Sequence, residues 1–388
     1  MDTVKLGIIG VGNMGTSHCK NILEGLIPGL ELAAVADRSA ARRAWIGENF
    51  PETVRVFEEG TELIESGCCD AVLISVPHYD HPGLSMLAFE RGQHVLCEKP
   101  AGVYALQVRE MNAAAAQHPE LTFAMMFNQR TNCVYRKMKE LLASGEMGAI
   151  TRVNWLITDW FRTQYYYDSG AWRATWGGEG GGVLLNQCPH NLDLLQWLAG
   201  MPSRVTAFCQ EGKWHDIEVE DDVTAYLEYP NGATGVFITT TGNTPGTNRL
   251  EIDCDGGKLV CENNILTLHK NEIGEAEFRA TSRESFAKPS VTVTTVETDG
   301  ENPQHIGVLK AFAAHILRGE PLVAGGEEGI HGLLLSNAMH LSSWLGRPVD
   351  LPIDDALFLD ELNKRRATSR LKTGESVVSD TEGSYGSK

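Results

Sequence analysis

A lysine between a glutamate and a proline, Glu98-Lys99-Pro100, closes a short apolar stretch in the run HVLCEKPAG from His94 to Gly102. A lysine at the mouth of a crevice can give or take a proton where burial or a neighbouring positive charge lowers its pKa. On an open surface the same residues would be a solvated ion pair, and the local sequence alone does not separate the two. A second candidate is His190, in NQCPHNLDLLQWLAG from Asn186 to Gly200. On a helix starting near Asn186, with Pro189 in its first turn, Asn186, His190, Asp193 and Trp197 form one polar stripe, while Leu192, Leu195 and Leu198 lie elsewhere. Asp193 would then orient the imidazole, and His190 could exchange a proton with a substrate. A lone helical histidine is more often structural; the flanking amide and carboxylate favour chemistry.

Between these two lies a dense aromatic segment: Trp155, Trp160, Phe161, Tyr165, Tyr166, Tyr167, Trp172 and Trp176, interleaved with Asp159, Arg162, Gln164, Asp168 and Arg173. Aromatic faces mixed with polar forks suit a sugar or polyol. The same composition also suits a domain or subunit interface. A glycine run, Gly177 to Gly182, follows as a flexible or close-packed turn. His78 and His81 share a loop but lack a third ligand nearby, and Cys188 with His190 lacks further ligands at suitable spacing, so no metal site is expected.

The elements that must position these groups begin at the N-terminus. Val4 to Ile9 is an apolar strand that runs into Gly10-Val11-Gly12-Asn13-Met14-Gly15, then a helix from about Met14 to Leu26, then a strand from Glu31 to Ala36 ending in Asp37. This is a dinucleotide-binding pattern in its full context. Gly10 permits the tight turn, Gly12 lets the backbone approach a pyrophosphate, and Gly15 allows close helix–strand packing at a helix N-terminus that favours anions. Asp37, about 20 residues on, is placed to accept from both ribose hydroxyls, which points to NAD. Arg38, Arg42 and Arg43 follow it and keep NADP open. Asp70 to Val76 reads as a fully buried strand ending at Pro77-His78-Tyr79-Asp80-His81, then a helix from about Gly83 to Arg91, then the strand leading to Glu98. In a parallel sheet the strand C-termini share one crevice. Gly10–Gly15, Asp37, Arg38, Pro77, His78, His81, Glu98 and Lys99 are therefore expected around one dinucleotide, with Lys99 beside the nicotinamide. Phe123 to Phe127 adds a strand ending at Asn128, which is placed with that edge.

Further on, Ile150 to Ile157 alternates as a strand. From Arg204 onward period-two strands broken by Pro230-Asn231-Gly232 and Asp255-Gly256-Gly257 read as a large antiparallel sheet. Residues 270–303 are charged and Thr-rich and read as an excursion. Helices recur at about Gln304 to Leu317 and Gly326 to Leu345. The expected fold is α/β: an N-terminal dinucleotide-binding domain over 1–125, an α+β substrate and oligomerisation domain with a large, mostly antiparallel open sheet over 126–366, and a polar tail over 367–388, its last residues disordered.

The bulk numbers bound the partners. The 388 residues carry 33 basic and 51 acidic side chains, a net charge of -18, which disfavours nucleic acid and anionic membranes. No apolar run approaches the ~20 residues that span a bilayer, and no signal peptide is legible. Nine scattered cysteines without a CxxC pair argue against a disulfide framework and suit a reducing cytoplasm.

Taken in order, GVGNMG with His18 soon after, the Pro77–His81 loop, CEKPAG, Asn128–Arg130, SGEMG and EGGGVLLNQCPHNLDLLQWLAG resemble the Gfo/Idh/MocA family (glucose–fructose oxidoreductase, inositol dehydrogenase and rhizopine catabolism proteins), from Lys5 to about Leu345. The resemblance implies a Rossmann domain followed by an α/β domain with an open sheet, a proton-transfer role for Lys99, a catalytic or substrate-binding role for His190, and a homodimer or homotetramer joined through that sheet. The family pattern commonly has Asp where this chain has Asn186. An amide cannot act as a base, so the acid–base work would rest on Lys99 and His190. Asn186 with YYxSGxWR looks more like sugar or glycoside oxidoreductases, including those acting at a C3 hydroxyl. The expected activity is hydride transfer between NAD and a secondary hydroxyl of a sugar, glycoside or cyclitol, with Lys99, Arg162, Tyr166, Trp172, Arg173, Asn186 and His190 against the substrate. An NAD-dependent glycosidase working by transient oxidation and elimination, and a non-catalytic NAD-binding module, are the alternatives.

Overall fold

The computed structural model describes residues 2–370 and 372. Six strands form the first sheet: β1 (Val4–Ile9), β2 (Leu30–Ala36), β3 (Arg55–Phe57), β4 (Ala71–Ile74), β5 (His94–Cys97) and β6 (Phe123–Met125). They run parallel in the order β3-β2-β1-β4-β5-β6. This is the doubly wound arrangement, whose strand order reverses between β1 and β4 and leaves a ligand crevice at the strand C-termini. Every residue of β4 is buried, as a strand covered by helices on both faces must be. The helix after β1 spans Asn13–Leu23, shorter than its apolar spacing suggests, because Gly25 turns the chain at φ +75°.

The second sheet has nine strands: β7 (Ile150–Ile157), β8 (Arg204–Glu211), β9 (Glu220–Glu228), β10 (Thr234–Thr240), β11 (Asn248–Cys254), β12 (Gly257–Glu262), β13 (Ile265–Asn271), β14 (Val291–Thr295) and β15 (Val349–Asp350). Their order is β14-β13-β12-β11-β7-β10-β9-β8-β15. All pairs are antiparallel except β7 with β10. Residues 270–303 thus add an edge strand and the short helix Glu275–Thr281. One face, carrying Trp155, Phe237 and Leu227, is buried with the helices Pro189–Ala199 and Gly329–Leu345 in one core. Period-two alternation sends the other residues of β7–β10 outward.

One placement differs from the expected one. The helix Gln304–Arg318, placed with the second domain by chain position, packs on the first sheet: Val308, Leu309, Phe312 and Ala313 share a core with Leu6, Ile8, Leu73 and Leu96. Its apolar stripe finds the uncovered face of the parallel sheet, which needs helices on both sides. The start of the polar tail is also held. Ser369 accepts from the Gly177 N–H at 2.9 Å and donates to Glu218 at 2.6 Å, and Lys372 donates to the Tyr167 carbonyl at 3.0 Å. The rest of the 367–388 segment lies outside the described residues. Among the described residues no helix is long and apolar enough to cross a membrane, and no cluster of metal-ligating side chains occurs.

Candidate active site

The turn after β1 has the form a pyrophosphate cradle requires. Gly10 sits at φ +89°, and a Cβ there would lie 2.3 Å from the Ser75 carbonyl oxygen. A Cβ on Gly15 would lie 1.9 Å from the Gly10 carbonyl oxygen, so the helix can approach the strand only without one. Gly12 differs: a Cβ there would meet no protein atom within 4 Å, so the space beside its backbone is open. Asn13 and Met14 begin the helix, whose first N–H groups are available to an anion. Asp37, just past β2, accepts the Val11 N–H at 2.9 Å, which fixes its carboxylate beside that turn.

The arginines that could take a 2′-phosphate are engaged by the protein. Arg38 is exposed and donates to Glu59 at 2.8 Å and Asp80 at 3.4 Å. Arg42 donates to the Val11 carbonyl at 2.6 Å and lies over the Trp45 ring. Arg43 donates to the carbonyls of Asp37 and Arg38, both at 2.9 Å. These residues fit NAD: an open cradle, a placed ribose acceptor and spoken-for arginines. Asn128, at the end of β6, adds a buried Oδ1 with no partner, while its amide donates to Gln304.

After β4, Pro77 leads into a turn in which His78 and His81 are both buried. His81 bridges two carbonyls, Pro100 at 2.7 Å and Val76 at 2.8 Å. It ties the loop to the Lys99–Pro100 turn, and both of its ring nitrogens are occupied by protein, so neither is left for the expected cofactor contact. His78 meets the Glu179 carbonyl at 3.2 Å and the edge of the Trp172 ring. Burial, then the nearby His81 and Lys99 charges, keeps it neutral, well below the usual imidazole value.

Glu98 is buried and bonded to His18 at 2.8 Å. Burial alone would raise its carboxyl. The His18 hydrogen bond and the His18, His305 and Lys99 charges outweigh that and hold it at about 2. Lys99 is half-buried, and its Nζ donates to the Asn186 main-chain oxygen at 3.1 Å. Burial lowers its pKa; Glu98 and Glu179 oppose that shift and Arg173 adds to it. A neutral amine at this place can accept a proton.

His190 stands in the first turn of Pro189–Ala199, with Nδ1 buried and unpaired. Burial and the Lys99 and His305 charges press its pKa well below the usual value. The expected polar stripe does not form. Asn186 precedes the helix in a turn, and Asp193 does not orient His190. Arg130, itself 4% exposed, takes the Asp193 carboxylate through both arms, at 2.8 and 2.7 Å. A bidentate guanidinium is the stronger partner for a buried carboxylate.

The aromatic segment gathers beside Lys99. Tyr166 donates its hydroxyl proton to Asn186 Oδ1 at 3.1 Å and accepts from Arg173 at 3.0 Å. Arg173 lies over the Tyr166 and Trp172 rings, each 4.8 Å from the centroid, and Arg162 lies over Tyr166 at 5.1 Å. The expected substrate set therefore converges, with Arg162 at its outer side. Trp155 does not join it: it is core, under the second sheet. Two site groups escaped the sequence reading. Glu179, read only as part of a glycine turn, is buried and bonded to the Asn186 amide; a lone charge inside GGEGGG was the available signal. His305 reaches the His18–Glu98 pair from a helix far along the chain, and no local signal marks it.

Comparison with known proteins agrees with this geometry. Residues 4–126 match the model "Oxidoreductase family, NAD-binding Rossmann fold", and residues 135–260 match the "GFO/IDH/MocA C-terminal domain". The chain is 26% identical to inositol 2-dehydrogenase 2 of Paenarthrobacter aurescens over 87% of its own length and 95% of that protein. It is 29% identical to the rhizopine catabolism protein MocA of Rhizobium meliloti over 52% of its length, a match that spans 58% of MocA. Among solved structures, the WlbA dehydrogenase from Chromobacterium violaceum, in complex with NADH and UDP-GlcNAcA, superposes with a TM-score of 0.76 at 25% identity, covering 91% of this chain and 97% of that one. Levoglucosan dehydrogenase in complex with NADH and L-sorbose shares the fold, with a TM-score of 0.75 at 19% identity over 91% of this chain and 100% of that one. The chain belongs to the Gfo/Idh/MocA family of oxidoreductases, and its first domain is that family's NAD-binding Rossmann fold.

Proposed function

We propose that this enzyme oxidises a secondary hydroxyl of a sugar, glycoside or cyclitol, reversibly and with NAD. The observation that carries the reading is Lys99: a half-buried amine of lowered pKa at the cofactor edge of the first sheet, held by the Asn186 carbonyl and faced by the Tyr166–Arg173 cluster. The named relatives support the substrate class, since they include an inositol dehydrogenase and a levoglucosan dehydrogenase.

Gly10 to Gly15 would hold the pyrophosphate of NAD, Asp37 its ribose, and Pro77, His78, Glu98 and Asn128 would border the nicotinamide half. Bound NAD supplies the hydride acceptor. Lys99 removes the hydroxyl proton as the neutral amine. His190, kept neutral by burial, accepts a hydrogen bond from the substrate and shares the proton. Tyr166, Trp172 and Arg173 pack against the ring and its hydroxyls, with Arg162 at the rim. Asn186 aligns Lys99 and carries no proton.

A panel of cyclitols, aldoses and glycosides, followed by NADH absorbance, tests this reading. The expected result is NADH formation with one of these classes and a loss of roughly 10²-fold or more in His190→Ala. Aglycone release from a chromogenic glycoside without NADH build-up would support the elimination route instead. No turnover with any member of the panel would overturn the proposal.

We also place self-association on the outer face of the second sheet. Strand register lines up Leu156, Ile238, Thr224 and Phe208 across β7, β10, β9 and β8. Phe208 is 64% exposed and Tyr226, two residues from Thr224 on the same face, 43%. An apolar row of this kind on an open sheet suits a second copy of the chain, as a dimer or tetramer.

A further inference from the structure

We propose that Glu179 is the positioning residue that sets the charge state of Lys99, acting through Asn186. The inference rests on the reading of Lys99 as the proton carrier.

Glu179 is the one charged side chain in the run Gly177 to Gly182 and is 2% exposed. The glycines around it are needed for contact. A Cβ on Gly182 would lie 2.0 Å from the Glu220 carbonyl oxygen, and one on Gly180 would lie 2.3 Å from Val103. Close packing of this turn brings the carboxylate inside. One oxygen accepts the Ala174 N–H at 2.6 Å and the other accepts the Asn186 side-chain amide. Asn186 is thereby held at both ends, with its amide on Glu179 and its Oδ1 accepting from Tyr166 at 3.1 Å. Its main-chain oxygen is the acceptor that holds Lys99 Nζ. The amide cannot take a proton, so it relays position; the carboxylate behind it, pushed up by burial and Glu220 and held down by Arg173, the Ala174 N–H and the Asn186 amide, supplies the field.

The groups facing Lys99 come from every element around it. Glu98 ends β5, Glu179 and Arg173 come from the loop before the helix Pro189–Ala199, and Cys188 and His190 lie at the start of that helix. His305 heads the helix Gln304–Arg318, and His78 lies on the turn after β4. Glu98, bonded to His18, and Glu179 both raise the Lys99 pKa, and Arg173 opposes them. The loop thus carries one charge that raises the Lys99 pKa and one that lowers it. Removing the Glu179 charge leaves Glu98 as the one carboxylate against burial and Arg173, and lets Lys99 deprotonate at lower pH.

The test is trace acetylation of the full chain with acetic anhydride across pH, with the Lys99 peptide quantified by mass spectrometry. Only the neutral amine reacts, so the labelling midpoint reports Lys99 without substrate or cofactor. The midpoint is expected to fall in Glu179→Gln and in Asn186→Ala and to stay at the wild-type pH in Glu179→Asp. A purely structural role would change the labelling rate at every pH and leave the midpoint in place, and that result overturns the proposal. Asn186→Ala removes the amide that carries the Glu179 contact while keeping the main-chain oxygen, and decides the matter alone if Glu179→Gln fails to fold: an unmoved midpoint rejects the coupling. Retained turnover in Lys99→Ala would reject the proton-carrier reading instead, a separate outcome from an unmoved midpoint.

Discussion

The two sides of the site that meet at Lys99 are built in different ways. On the cofactor side, the groups come from consecutive strand ends of one sheet, and the turn residues are held by partners nearby in the same domain: Asp37 with Val11, His81 with Val76 and Pro100. On the substrate side the holding bonds run between distant parts of the chain, as with Arg130 and Asp193, Lys99 and Asn186, or Glu220 and the Gly182 N–H. The first side is a motif; the second is an assembly. Damage should therefore spread differently from each, and four measurements can break or sharpen that contrast.

The largest effect is expected on the assembled side. Asp193→Ala leaves the buried Arg130 with Glu328 as its one remaining carboxylate, and urea unfolding should register a loss of about 1.5–3 kcal/mol. A loss below about 1 kcal/mol would mean that the ion pair is not what holds this helix. On the motif side, one added methyl should separate binding from stability. Gly12→Ala meets no protein atom, so its melting temperature should stay near wild type while NAD affinity falls on the order of tenfold, about 1.4 kcal/mol. Gly15→Ala, forced against the Gly10 carbonyl, should lose stability first. Equal behaviour of the two variants in calorimetry would remove the case for an open cradle above Gly12.

Acid should weaken both sides together. Glu98 is held at about 2, below its ordinary value, so the stability it contributes is present above that ordinary range and is lost as pH falls toward 2. His305 is lowered from 6.5 to about 4, so the folded state binds fewer protons than the unfolded one below pH 6.5. Both shifts make stability fall with falling pH, from about 6.5 downward. Thermal melts at pH 7, 6, 5 and 4 check the sign, and a protein equally stable at 7 and 4.5 would contradict it. The smallest effect on folding is expected at the sheet face. Phe208→Asp should change monomer stability by about 0.5 kcal/mol or less, yet weaken self-association in sedimentation, leaving both sides of the site intact.

Legibility in the sequence follows the same divide. The strand–turn–helix of residues 4–23 and the Glu98–Pro100 strand end are local, and their glycines, apolar runs and charges encode their own geometry. The exposed and buried alternation of β7 was equally readable, since it needs only period two. Asp193 was misread because helical spacing reports which residues share a face and is silent about a guanidinium arriving from residue 130. Glu179 and His305 were missed for a related reason. One depends on close packing through a glycine run, and the other on a helix that returns to the first sheet after the whole second sheet has been made.

The central claim is that Lys99 carries the proton while the motif side binds NAD independently of it. NAD titration by calorimetry and turnover on the preferred polyol or sugar, both measured in Lys99→Ala, test it directly. The expected result is NAD affinity within about twofold of wild type with kcat reduced roughly 10²- to 10⁴-fold. Turnover near the wild-type rate with intact NAD binding would contradict the account.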